Sequence, residues 1–124
     1  MNDYTHTNTG DSSAWWMVTL EKVYLISKIV VYNRNLNNER IDGIKVWVGT
    51  NLPGGDYNGA TNVATLKYVI GTQPYTIPDL DIEGSSVELQ GGTCACGGHI
   101  TLSEVEVYIM TIGMYNVSHK SERY

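Results

Sequence analysis

No phenylalanine occurs in the 124 residues, proline occurs 3 times and cysteine twice, and 8 Lys and Arg face 13 Asp and Glu. Each shortage excludes something. Eight cations at a net charge of -5 cannot supply the clustered positive charge that phosphate backbones require, so a nucleic-acid duplex is excluded as the main partner. No apolar run approaches the roughly 20 residues that a membrane-spanning helix needs. Charged residues make up only 17% against 42% hydrophobic, which excludes disorder for the bulk of the chain. No Ser/His/Asp arrangement, paired-carboxylate signature or phosphate-binding loop is present, so no enzyme chemistry is expected. Met1-Asn2-Asp3-Tyr4 shows neither the basic nor the apolar region of a secretion signal.

What is abundant points one way. The 13 Gly, 9 Tyr and 3 Trp, with many Val, Ile and Thr, are the composition of a β-rich protein with amphipathic aromatics on its strands. The length fits one domain, for which folding removes about two-thirds of the unfolded chain's surface from water. Residues 15–20 and 23–33 read as two strands separated by Glu21-Lys22. In the second strand neither alternate face is purely polar, which suggests cover on both sides. A polar loop over 34–40 has no helical period. Residues 44–48 form a strand with Ile44, Val46 and Val48 on one face and Lys45 and Trp47 on the other. Turn chemistry fills 51–62. Strands are expected at 66–70, 75–77 and 85–90, and a Gly-rich loop over 91–98 leads to a long β-patterned stretch from Ile100 to about Tyr115. Seven or so short strands without a helix indicate a β-sandwich or barrel. Trp15 and Trp16 point to opposite faces, one into the core and one partly exposed. Cys94 and Cys96 allow free or mutually bridged loop thiols, an intermolecular disulfide, or a metal shared with His99. Glu104 and Glu106 share one strand face, His99 and His119 lack partners at recognisable spacing, and Asn116-Val117-Ser118 is a glycosylation sequon.

Four segments in order resemble the F-type lectin family, fucose-binding domains of the galactose-binding-like group that includes discoidin-type domains. They are Thr5-His6-Thr7 before Trp15-Trp16-Met17-Val18-Thr19-Leu20; Val23-Tyr24-Leu25-Ile26-Ser27; Tyr32-Asn33-Arg34 through Glu39-Arg40-Ile41-Asp42-Gly43; and Leu102-Ser103-Glu104-Val105-Glu106-Val107-Tyr108. The resemblance implies an all-β jelly-roll sandwich in which His6, Arg34 and Arg40 hold a sugar at one end. Their chemistry suits a neutral deoxyhexose: a guanidinium offers a planar fork of donors to adjacent hydroxyls, and a neutral imidazole can donate or accept. Three such anchors imply single-site affinity in the micromolar-to-millimolar range.

The pattern also departs from the family. Leu36 stands where an arginine-fixing Asp is usual, and Asn37-Asn38 replace a cysteine pair that forms an apolar platform, in a loop one residue shorter. The segment between His6 and Trp15 is one residue longer. Leu36 is therefore a candidate platform and Glu39 a candidate carboxylate for the arginines. The resemblance also implies calcium, with Glu104 and the Ser103 carbonyl at the late positions and Asn2 and Asp3 standing in for the early loop. A lectin-like domain is expected over 1–108 and an extension over 109–124, with a strand at 109–115 and a polar tail, on a sheet that lacks the family's first strand. The tail either folds back onto the vacant edge or leaves it to a second chain, giving a homo-oligomer. The expected function is non-catalytic recognition of fucosylated or related glycans by a secreted protein. The rival is a self-assembling structural protein that kept the sandwich and lost the sugar site.

Overall fold

The computed structural model describes residues 5–6, 15–33, 38–91, 100–110 and 116–120; for 5–6, 38, 101, 103 and 116–120 it describes the main chain alone. The elements in chain order are β1 (Thr5–His6), β2 (Trp15–Asn33), a 3-10 turn (Asn38–Ile41), β3 (Lys45–Gly49), β4 (Thr61–Thr65), β5 (Tyr75–Ile77), β6 (Ile82–Gln90), β7 (Thr101–Met110) and β8 (Asn116–Lys120). All the pairings are antiparallel. The architecture is the expected all-β sandwich.

One strand joins its two layers. The first half of β2 pairs with β6, which carries β3 and then β4. Its second half pairs with β5 on one side and β7 on the other. The expected break at Glu21-Lys22 is not there: the strand is continuous and absorbs the polar pair as an irregularity. Thr19 faces Ser86 and Tyr24 faces Gly84, so three extra residues of β2 bow out between them. A second irregularity, between Ile26 and Lys28 against β7, explains the mixed faces of 23–33. It reverses the alternation, so that Ile26 and then Ile29 and Val31 all reach the core at 0% exposure. Val30 is buried as well, so the expectation of cover on both sides holds in part.

The core lies between the layers. Trp16, Val46, Val48 and Leu89 come from one inner face, and Val31, Val105 and Val107 from the other. The inward and outward sets on β3 are as expected: Val46 and Val48 are buried, Lys45 is exposed and Trp47 is half-buried. Two elements differ from expectation. Residues 66–70 form no strand; the strand is Thr61–Thr65, which pairs with β3 along the edge of its layer. Residues 38–40 of the polar loop form the 3-10 turn together with Ile41. The carboxyl-terminal segment folds back: β8 pairs with β7 from Glu106↔Lys120 to Met110↔Asn116. Cys94, Cys96 and His99 lie outside the described residues.

Candidate functional site

The start of β7 lies between the main chains of His6 and Asn33. His6 of β1 pairs with Thr101 on one side of β7, and Asn33, the last residue of β2, pairs with Leu102 on the other. With neighbouring strands about 4.8 Å apart, the main chains of His6 and Asn33 lie roughly 10 Å from each other across β7. Arg34 follows Asn33 directly in sequence. The 3-10 turn that carries Glu39 and Arg40 packs against β7.

Local chemistry fixes that turn. Ile41 is 1% exposed and anchors it in the core, while Arg40 is half-buried and Glu39 exposed beside it. The Asp42 N–H donates to the Glu39 carbonyl at 3.1 Å, and the Ile44 N–H to the Ile41 carbonyl at 3.2 Å. Gly43, at φ 80, occupies the left-handed conformation that lets the chain reverse into β3. Its N–H donates to the Leu66 carbonyl at 2.8 Å, and Asp42 Oδ1 accepts from the Tyr68 N–H at 2.9 Å. The Glu-Arg-Ile-Asp-Gly block is thus strapped to the 66–74 loop. The same loop reaches Asn33, whose N–H donates to Gln73 Oε1 at 2.9 Å while Gln73 Nε2 donates to the Asn33 carbonyl at 2.7 Å. Neither the Gln73–Asn33 pairing nor the Asp42–Tyr68 link has a local signature in the sequence.

Arg34, Leu36, Asn2 and Asp3 lie outside the described residues, and the side chains of His6 and Ser103 are outside them too. Of the four expected calcium ligands, only Glu104 is described with its side chain, which is half-buried. Among the described residues no group of three or more His, Cys, Asp or Glu gathers to hold a metal. Glu106, on the same outer face of β7, accepts from the Tyr108 hydroxyl at 3.2 Å and from the Tyr32 hydroxyl at 3.4 Å. Burial, and then the Glu106 charge, push the Tyr32 hydroxyl pKa up. The Lys28 ammonium sits 4.1 Å from the centre of the Tyr108 ring.

A second cluster lies on the outer face of the other layer. Trp47 faces Glu88, and both are roofed by the 50–60 loop. Gly54 and Gly55 press on the Trp15 indole so closely that a Cβ at Gly54 would overlap the ring. Trp47 and Tyr57 stack at 5.2 Å, and Trp47 Nε1 donates to Gln90 Oε1 at 3.0 Å. Glu88 is 0% exposed; its Oε1 accepts from the Gly55 N–H at 2.5 Å, and its buried Oε2 has no hydrogen-bond partner among the described residues. Burial pushes the Glu88 carboxyl pKa up, the Gly55 N–H pulls it partly back, and the Asp56 charge raises it again. Burial beside Glu88 pushes the Tyr57 phenol up to about 12.

Comparison with known proteins agrees with this architecture. The family described as NedA-like, galactose-binding domain matches residues 1–89. Among solved structures, a fucolectin from the serum of striped bass, Morone saxatilis, superposes with a TM-score of 0.71 at 24% identity, over 86% of this chain and 35% of its own. The present chain therefore spans about a third of that fucolectin. The lectin domain of lectinolysin in complex with Lewis B antigen superposes with a TM-score of 0.68 at 25% identity, over 87% of this chain and 72% of its own. A fucose-binding module of Streptococcus pneumoniae does so with a TM-score of 0.64 at 24% identity, over 87% and 73%. No curated protein matches the chain. A match over 1–89 takes in β1 through most of β6, together with the turn that bears Arg40, and by it the chain belongs to the NedA-like, galactose-binding domain family.

Proposed function

We propose that this domain is a non-catalytic lectin module that binds fucose or a closely related sugar on glycans, with His6, Arg34 and Arg40 as its ligands, in a secreted protein of recognition, adhesion or defence. The observation that carries the reading is the register at the start of β7. Thr101 and Leu102 bring the His6 main chain to one side and Asn33, next to Arg34, to the other, with the Arg40 turn packed on the same strand. A structural neighbour at 25% identity is a lectin domain complexed with Lewis B antigen, which supports a fucosylated ligand. In this reading the sugar is held by side-chain donors, and calcium is proposed as a structural ion at Glu104 and the Ser103 carbonyl, with Asn2 and Asp3 from the early loop. Leu36 and Glu39 serve as apolar platform and arginine-orienting carboxylate within it.

A glycan array probed with and without EDTA tests the assignment. Fucosylated glycans are expected among the hits, retained in chelator and lost in Arg34→Ala. A blank array together with a large particle mass would instead favour a self-assembling structural protein.

A further inference from the structure

We propose that Gln73 is a positioning residue of the sugar site, acting through the main chain that leads into Arg34; this inference rests on the lectin reading above. The pairing of β5 with β2 runs Ile29↔Ile77, Val30↔Thr76, Val31↔Tyr75. Continuing that register by one step sets Pro74 opposite Tyr32, and proline has no N–H to donate. The next step sets Gln73 opposite Asn33. There the side-chain amide takes the place of a main-chain rung: its Oε1 accepts from the Asn33 N–H at 2.9 Å and its Nε2 donates to the Asn33 carbonyl at 2.7 Å. A carboxamide carries the same donor and acceptor as a peptide group, so it completes the ladder where β5 no longer runs.

This rung stands at an irregular step. On the other side of β2, Tyr32 faces Glu104 and Asn33 faces Leu102, so β7 has an extra residue between the two pairs. Asn33 is 4% exposed and is the last residue before the arginine loop. Gln73 itself lies on the surface and fills no core space. Its loop is held from within, since the Tyr75 hydroxyl accepts from the Val69 N–H at 3.1 Å and the Thr72 N–H donates to the Val69 carbonyl at 3.0 Å. Through Tyr68 and Asp42 the loop also grips the Arg40 block. One loop thus braces both arginine-bearing segments, at Tyr68 and at Gln73. A site in which two guanidinium groups meet one small sugar depends on such spacing, because displacements on the order of 0.5 Å already spoil a binding constellation.

The test titrates free L-fucose calorimetrically into the whole chain, for wild type, Gln73→Ala and Gln73→Glu, with thermal melting alongside. Gln73→Ala is expected to weaken binding ~10-fold while melting stays cooperative. Gln73→Glu keeps the acceptor but sets a second oxygen against the Asn33 carbonyl, so it binds weakly at neutral pH. At pH ~4 a glutamic acid side chain regains a proton and can donate, and affinity relative to wild type recovers. If both variants match wild type at neutral pH, or if Gln73→Glu shows no recovery in acid, Gln73 does not position the site. Failure of the wild-type chain to bind fucose removes the lectin reading, and this proposal with it.

Discussion

Glu88 shows what a single side chain can impose. It projects from β6 between the inward-facing Val87 and Leu89, so its pattern on the strand is that of a solvated position. The 50–60 loop makes it buried, by laying Gly54 and Gly55 over Trp15 and donating the Gly55 N–H to one carboxylate oxygen. A buried carboxyl with one satisfied oxygen holds its proton more tightly than it does in the unfolded chain. The folded state then binds more protons than the unfolded state above the ordinary value of 4.5. The stability from this group is therefore complete below that value and is lost as the pH rises through the raised folded-state value. Glu88→Gln retains an acceptor for Gly55 and cannot ionise. Urea midpoints measured from pH ~4 to ~8 should fall more steeply with pH in wild type than in Glu88→Gln, and parallel curves would disprove the burial argument.

At the scale of elements, what the sequence reveals is whatever the 2.0-residue period controls. Tyr75–Ile77 appears with its expected bounds, and Lys45–Gly49 shows the expected inner and outer faces. Thr61–Thr65 escapes notice because an edge strand with mostly exposed residues carries no apolar alternation. Residues 66–70 mislead for the opposite reason: they look like a buried strand, but Leu66 alone among them is buried. Its main chain exchanges bonds with Gly43 and Ile44, and the chain then leaves the sheet with Ile70 83% exposed. The irregularities of β2 depend on strands 50 and more residues away, so no local pattern announces them. The same holds for the carboxyl-terminal strand, whose polar residues find their place only against β7. Because β8 covers β7 from Glu106 to Met110, removing residues 111–124 bares a run of unpaired N–H and C=O groups beside Val107 and Ile109. The truncated chain is expected to show a raised mass in light scattering, and an unchanged mass would show that the edge needs no cover.

At the scale of the molecule, the sandwich follows from alternation and turn chemistry written locally in the chain, and the family from a resemblance carried by the tryptophan pair and the Asn-Arg and Glu-Arg-Ile-Asp-Gly blocks. The candidate site was legible in part: the Asn-Arg and Glu-Arg-Ile-Asp-Gly blocks point to their residues, while the contacts that brace them, at Gln73 and Tyr68, arise only from tertiary packing. Binding by three donors at one rim is the central claim. Calorimetric titration of L-fucose into the intact chain and into Arg40→Ala tests it most directly. The account predicts saturable one-site binding in the micromolar-to-millimolar range, abolished by the substitution while the melt is preserved. Absence of heat with the wild-type chain, or an unchanged isotherm in Arg40→Ala, contradicts it.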